Sequence, residues 1–290
     1  MKTFDFSQDL KKLLKPIDEI PSCSPFLMEV KHILQKDPLD VSSVNLALDT
    51  KISYESKLLK IVNGHFFDFS RSVSSLSQAL SYLGVYQFYQ LALFCEILEV
   101  FGGADSKTDF DREGFWEHSF ACGLVSFEIA RHMGFLNLGE AFFGGVFHDI
   151  GKLFWDQFLY KDFKKILTRV CKKDELMLTV EKELLNVTHA ELGGWFLQKW
   201  QAYPVWNRAT LYHHNPEPHM EQDPLVAIVH VADIISRALL LGNPGDDKIP
   251  KMSEKAFKSC GLSFSSLEII LKKVDQKFSQ MDSFVQVSLM

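Results

Sequence analysis

The stretch Phe147-His148-Asp149-Ile150-Gly151-Lys152 decides how this chain reads. It follows Gly144-Gly145-Val146 in a region of helical periodicity. His148 and Asp149 are adjacent, so on one continuous helix they point about 100° apart. Both can still reach a single ion from the helix rim. Imidazole with carboxylate suits Fe, Mn, Zn or Mg better than a thiolate-loving metal. Lys152 lies three residues after Asp149, on nearly the same helix face. A cation there can hold a phosphate oxygen beside a metal.

Four further contexts lie around this stretch. His118 stands in Trp116-Glu117-His118-Ser119, on an amphipathic run. Thr188-x-x-Glu191 is a capping box that places His189 in the first turn of a helix. His213 and His214 precede Asn215-Pro216, which stops a helix and leaves both at an element end. Asp233 closes the apolar run Leu225 to Val231, with His230 one turn before it as a candidate partner for its carboxylate. A lone histidine on an apolar helix is usually a satisfied core residue. Seven ligand types in one helical region point instead to one shared site: His118, His148, Asp149, His189, His213, His214 and Asp233. His32, His65, His132 and His219 fall outside that set and read as solvent-facing or incidental.

Apolar residues recur at helical spacing through the chain. Examples are Phe26, Val30, Ile33 and Leu34; Leu58, Leu59 and Val62; Val73, Leu76, Leu80 and Leu83; and Phe264, Leu267, Leu271, Val274 and Phe278. Alternating runs bounded by turn residues are few, so the expected fold class is all-α with little strand. Two polar, Gly-containing stretches, 102–112 and 242–251, read as connectors. They divide the chain into an N-terminal helical bundle at 1–102, a chemistry-bearing core at 103–241, and a linker with a helical tail at 242–290. The tail is expected to pack back onto one of the other two.

Composition closes off several classes. The 290 residues are 47% apolar and 23% charged, as in a folded globular chain. Lys and Arg number 31 against 37 Asp and Glu. No basic excess exists to neutralise a phosphate backbone, so nucleic-acid binding is not expected. Five scattered cysteines, with no CxxC pair, make neither a disulfide framework nor a thiolate zinc site. Met1-Lys2-Thr3-Phe4-Asp5 opens no signal-peptide apolar region, and Phe88 to Phe101 is interrupted by Gln90, Glu96 and Glu99. A cytoplasmic chain with no membrane association is the expectation. No GxxxxGK[ST] occurs, which removes P-loop chemistry.

The order His, His-Asp, His, His-His, Asp resembles the HD superfamily of metal-dependent phosphohydrolases. More closely, the chain resembles the HDOD domain, the HD-related output domain of bacterial signalling proteins, over roughly residues 20 to 240. Several segments carry that resemblance: Pro25-Phe26, Asp37-Pro38, Val44-Asn45-Leu46-Ala47, Lys57-Leu58-Leu59-Lys60-Ile61-Val62-Asn63, Ser75-Leu76-Ser77-Gln78-Ala79-Leu80-Ser81-Tyr82-Leu83-Gly84, Glu140-Ala141-Phe142 and Gly144-Gly145. It implies an HD-type helical core with an N-terminal helical bundle packed on it. It also implies His118, His148, Asp149 and Asp233 as a mononuclear ligand set, and His189, His213 and His214 as the additional ligands of dinuclear HD-GYP relatives. Lys152 and Asp149 match the residues that act on substrate in those enzymes. After His213-His214 this chain runs Asn215-Pro216-Glu217, without the Gly-Tyr-Pro of HD-GYP proteins.

The resemblance implies a regulatory output module that holds one or two divalent ions (Fe, Mn, Mg or Zn) and works with a signalling protein partner. An active phosphohydrolase with a nucleotide or phosphoester ligand is the alternative. A helical scaffold whose histidines are hydrogen-bonded without metal is the third reading.

Overall fold

The computed structural model describes residues 5–17, 19–35, 43–44, 53–64, 71–103 and 105–290. Asp37-Pro38, Asn45-Leu46-Ala47 and His65 lie outside the described residues. Every regular element among the described residues is helical. In chain order these are α1 (Gln8–Leu14), α2 (Pro25–Leu34), α3 (Glu55–Val62), α4 (Leu76–Phe101), α5 (Arg112–His132), α6 (Leu138–Phe147), α7 (Ile150–Phe158), α8 (Tyr160–Lys173), α9 (Met177–Leu185), α10 (His189–Lys199), α11 (Pro204–Tyr212), α12 (Pro224–Ala238), α13 (Glu254–Ser259), α14 (Phe264–Phe278) and α15 (Asp282–Ser288).

They fall into two compact units. One comprises Pro21–Gly102 and Ser279–Met290, the other Met1–Ile20 and Gly103–Phe278. The boundary at Gly102 coincides with the first connector, but both chain ends are divided differently from the sequence reading. α1 joins the core unit, where Asn186 donates to Asp9 at 2.8 Å. The tail is split. α14 packs on α5 through buried Ile270 and Val274, while α15 packs on α3 in the N-terminal unit. Phe264, the first residue of α14, is 93% exposed and takes no part in the expected apolar stripe.

In the N-terminal unit, Ser24 caps α2 by accepting from the Leu27 amide at 3.3 Å, with Pro25 at the first helical position. The buried Glu96 of α4 accepts from the Ser24 hydroxyl at 2.6 Å, tying α4 to α2. Burial raises the Glu96 carboxyl above its usual range.

In the core unit, α5, α6, α7, α10, α11 and α12 pack against one another. Caps set where each begins. Asp111 accepts from the Gly114 amide at 2.9 Å to start α5, and Asp223 accepts from Leu225 at 3.1 Å to start α12. The Thr188–Glu191 capping box starts α10 as its spacing predicts. Two glycine contacts bring helices unusually close. A Cβ on Gly145 of α6 would stand 2.6 Å from the Cys122 carbonyl oxygen and 2.7 Å from the Gly123 Cα of α5. A Cβ on Gly151 of α7 would overlap the His189 carbonyl oxygen and lie 2.8 Å from the Gly193 amide of α10.

His148 and Asp149 do not ride on one helix. They form the turn between α6 and α7, with Asp149 at φ −105°, ψ 10°. That turn redirects the chain, so the two side chains meet face to face rather than diverging.

The second connector is a strap over the core. Arg237 of α12 donates to Asp233 at 2.9 Å, and to Asp246 of the strap at 3.0 Å. The other Asp246 oxygen accepts from the Met177 amide at 3.1 Å. The Asn243 amide donates to the Gly114 carbonyl at 2.7 Å. Gly242, at φ +69°, lies against the α5 backbone where a Cβ would come 2.5 Å from that same carbonyl.

Two stability predictions follow from this packing. Gly151→Ala forces α7 and α10 apart against backbone atoms and is expected to cost ~1–3 kcal/mol in urea unfolding. A loss within the ~0.5 kcal/mol scatter of surface substitutions would show that this approach is not tight. Arg237→Leu leaves Asp233 and Asp246 buried without their shared cation, with an expected loss of ~3–5 kcal/mol. Arg237→Lys should recover only part of it, because a single ammonium lacks the planar fork that reaches both carboxylates.

Candidate metal centre

The seven predicted ligands are brought together by α5, the α6–α7 turn, the start of α10, the end of α11 and the interior of α12. They form two groups: His118, His148, Asp149 and Asp233; and Asp149, His189, His213 and His214. Within each group the donor atoms lie within 4.8 Å of one another, and Asp149 belongs to both. His118 comes from the middle of α5, His148 and Asp149 from the α6–α7 turn, and His189 from the first residue of α10. His213 and His214 follow the last residue of α11, and Asp233 sits inside α12. Six are buried, and His214 alone is half-exposed.

Ring orientation follows from the partners of each second nitrogen. His148 Nδ1 faces the Gly145 carbonyl at 2.7 Å and His213 Nδ1 faces the Thr210 carbonyl at 2.8 Å. A carbonyl oxygen only accepts, so each Nδ1 carries a proton, and each Nε2 is left to face the cluster. The same logic holds for His189, whose Nδ1 donates to Glu181 Oε2 at 2.7 Å. The three Nε2 atoms then point at carboxylate oxygens. His148 Nε2 is 3.2 Å from Asp149 Oδ2, His189 Nε2 is 3.1 Å from Asp149 Oδ1, and His213 Nε2 is 3.6 Å from Asp149 Oδ1. His118 Nε2 is 3.2 Å from Asp233 Oδ1. His148 Nε2, His213 Nε2, both His118 ring nitrogens and Asp149 Oδ1 make no hydrogen bond, although all are buried. His189 Nε2 and His214 Nε2 approach to 2.8 Å, a separation that requires a proton or a cation between them.

The electrostatics ask for positive charge. Burial works against Asp149 ionising, but the neighbouring His148 and Lys152 hold it well below the usual carboxylate range. Burial likewise opposes ionisation of Asp233, and Arg237 holds it well below that range. Burial also opposes a second proton on His148 and His189, yet Asp149 beside His148, and Glu181 with Asp149 beside His189, raise both above the usual imidazole value, so without an ion these Nε2 atoms hold protons that a bound cation would displace. Burial pushes His213 down to about 4, and pushes His118 and His214 down as well. Ionised carboxylates and imidazole Nε2 atoms converging within 4.8 Å form a donor set that fits a divalent cation of borderline character, once the ion displaces the Nε2 protons.

Lys152 is as expected in register. Its ammonium donates to Asp149 Oδ2 at 2.5 Å, and also to the Pro244 carbonyl of the strap at 2.8 Å. Asp149 and Lys152 are both fully buried.

His230 does not serve Asp233. Its Nδ1 donates to the His213 carbonyl at 2.6 Å, and its Nε2 accepts from the Ser253 amide at 3.0 Å. Both nitrogens are occupied, and Arg237, one turn after Asp233, holds the carboxylate instead. His132 is exposed and meets the Gly261 carbonyl at 3.2 Å, while His219 stacks on the Tyr212 ring with centroids 3.4 Å apart. Two further polar residues at the site went unread in the sequence, Arg237 and Glu181. Glu181 stands in Glu181-Lys182-Glu183, which looks like a solvated charge run. The available signal was its position four residues after Met177 and next to Val180, on the buried face of α9.

Comparison with known proteins agrees with this architecture. The HDOD domain model matches residues 20–216. An uncharacterised protein of Treponema pallidum (strain Nichols) is 23% identical over 81% of this chain, which spans 45% of that relative's length. The crystal structure of an HDOD domain protein of unknown function from Geobacter sulfurreducens superposes with a TM-score of 0.80 at 22% identity, covering 97% of this chain and 98% of that one. A candidate phosphohydrolase from Shewanella amazonensis SB2B superposes with a TM-score of 0.72 at 21% identity, over 96% and 98% of the two chains. A candidate signal-transduction protein from Marinobacter aquaeolei VT8 gives 0.74 at 13% identity, over 99% of this chain and 62% of that one. At these identities the structural likenesses speak for the fold. No helix among the described residues is long and apolar enough to cross a membrane. With an all-helical core, the ordered His, His-Asp, His, His-His, Asp set and a family match over two-thirds of its length, this chain belongs to the HDOD domain family.

Proposed function

We propose that this chain is a regulatory output module of bacterial signal transduction whose HD-like core holds one or two divalent ions. Asp149 is shared between the ion positions, with His118, His148 and Asp233 on one side and His189, His213 and His214 on the other. The observation that carries the reading is the set of buried imidazole Nε2 atoms aimed at Asp149, each ring fixed by a hydrogen bond on its opposite nitrogen. Such bonds orient metal-ligating histidines and raise their basicity. A hydrogen-bonded scaffold without metal would not leave these atoms facing one another.

The regulatory role is preferred over turnover because Lys152 is engaged. Its ammonium is held by Asp149 and by the Pro244 carbonyl, and the strap 242–248 covers that side of the site. The alternative is a metal-dependent phosphohydrolase acting on a nucleotide or other phosphoester. A divalent ion supplies Lewis-acid polarisation of a phosphoryl oxygen when bound. In that reading Lys152, released from Pro244, would orient the phosphate and offset its charge. A signalling protein would be the partner that reads the state of the module in the cytoplasm.

The test is elemental mass spectrometry of protein purified without a chelating column and reconstituted separately with Mn, Fe and Zn. One or two ions per chain, lost in Asp149→Ala and reduced in His148→Ala, are expected. No bound ion in any condition would reduce the cluster to scaffold. A parallel screen of nucleotides, cyclic nucleotides and bis(p-nitrophenyl) phosphate is expected to show no turnover beyond Asp149→Ala. Turnover at or above ~1 s⁻¹, within the ordinary enzymatic range, would favour the phosphohydrolase.

A further inference from the structure

We propose that Glu181 of α9 is a positioning residue for the ion subsite formed by Asp149, His189, His213 and His214. This deepens the metal reading above and rests on it. Glu181 is fully buried, and one of its oxygens accepts twice from the same residue. Oε2 lies 3.0 Å from the His189 backbone amide and 2.7 Å from His189 Nδ1. Those two contacts fix both the start of α10 and the rotation of the imidazole. They leave Nε2 as the nitrogen that faces the cluster, 3.1 Å from Asp149 Oδ1.

The charge matters as well as the geometry. His189 is the single ion-pairing partner of Glu181 among the described residues, charged only when its ring is doubly protonated. Burying a carboxylate with no Lys or Arg beside it is costly. Capping the His189 amide alone would be met by a neutral acceptor such as a glutamine side chain. The retained charge therefore acts on the imidazole, raising the electron-donating power of Nε2.

The two subsites also differ in what they lack. The His118 side has a second carboxylate, Asp233, held by Arg237. The His189 side has three imidazoles and only the shared Asp149. Glu181 supplies its missing negative charge through the His189 ring.

Titration of the metal-free, full-length chain with Co²⁺ tests this by calorimetry and by the visible cobalt spectrum. Wild type is expected to bind two ions. Glu181→Gln keeps an acceptor for the amide and removes the charge. It should weaken one ion ~10–100-fold and leave the other unchanged. In a His189→Ala background, Glu181→Gln should cause no further loss, since its effect passes through that ring. If Glu181→Gln fails to fold, Glu181→Asp tests the positioning alone: the charge stays, the reach shortens, and the loss should be confined to one ion. Wild-type affinities for both ions in the variant would overturn the proposal. So would an equal further loss in the His189→Ala background, which would place the effect in the fold. A wild-type chain that binds no Co²⁺ would instead fail the metal reading itself, and the proposal with it.

Discussion

The Asp149 carboxylate is the constraint around which the core is arranged. It is fully buried and lies within 3.6 Å of His148, His189 and His213, with the Lys152 ammonium at 2.5 Å. An ionised carboxylate in such a place is expensive unless surrounded by donors and cations. Three local features meet that requirement. The α6–α7 turn brings His148 round to face Asp149. Gly151 lets α10 come close enough for His189 to reach the same carboxylate. Gly145 lets α6 press on α5, which carries His118. Each feature looks minor in isolation, yet each sets a distance at the centre.

Orientation is imposed from outside the cluster. Two imidazoles are tethered by carbonyls three residues earlier in the chain: His148 to Gly145, and His213 to Thr210. This is the geometry of a helix end, where the last carbonyls have no helical amide to accept from. A histidine just past a helix terminus satisfies one of those orphans and has its own tautomer set by doing so. The placement of ligands at helix ends, visible in the spacing, therefore has a chemical consequence beyond convergence. His189 lies at a helix start instead, where amides rather than carbonyls are orphaned. Its ring and its amide both need an acceptor, and the one Glu181 oxygen, Oε2, accepts from both.

The convergence of these residues was legible because several stand at helix boundaries, with a capping box before His189 and a Pro stop after His213-His214, while Asp233 follows an apolar run. The all-helical fold was legible from apolar periodicity. What escaped was whatever depends on partners distant in the chain. Glu181 looks solvated beside Lys182 and Glu183, and only the packing of α9 reveals that its side chain turns inward. Arg237 and His230 both lie within one turn of Asp233. Choosing between them requires knowing that the strap brings Asp246 to Arg237, while the Ser253 amide and His213 carbonyl take both nitrogens of His230. The break between His148 and Asp149 was hidden for a different reason. Nothing in Val146 to Ile150 disfavours a helix, and the turn is stabilised by the converging side chains themselves.

The strap connects the chemistry of the centre to its accessibility. A phosphate oxygen that engages the buried Lys152 ammonium must reach it beneath the strap, whose Pro244 carbonyl that ammonium holds. It must also lift a segment that is pinned by Asp246 to Arg237 and by Asn243 to the α5 backbone. The free energy of that displacement is subtracted from the affinity of any such ligand, in proportion to the rarity of the open state. An enzyme would meet that cost on every cycle. For a module that reports occupancy, the same coupling is the useful quantity, because a ligand shifts a population only by its differential affinity for two states. Arg237 gives the coupling a path, since its guanidinium bonds a strap carboxylate and the Asp233 carboxylate at once. Occupancy at Asp233 and closure of the strap therefore share one buried side chain, a coupling that supports the proposed regulatory reading over turnover.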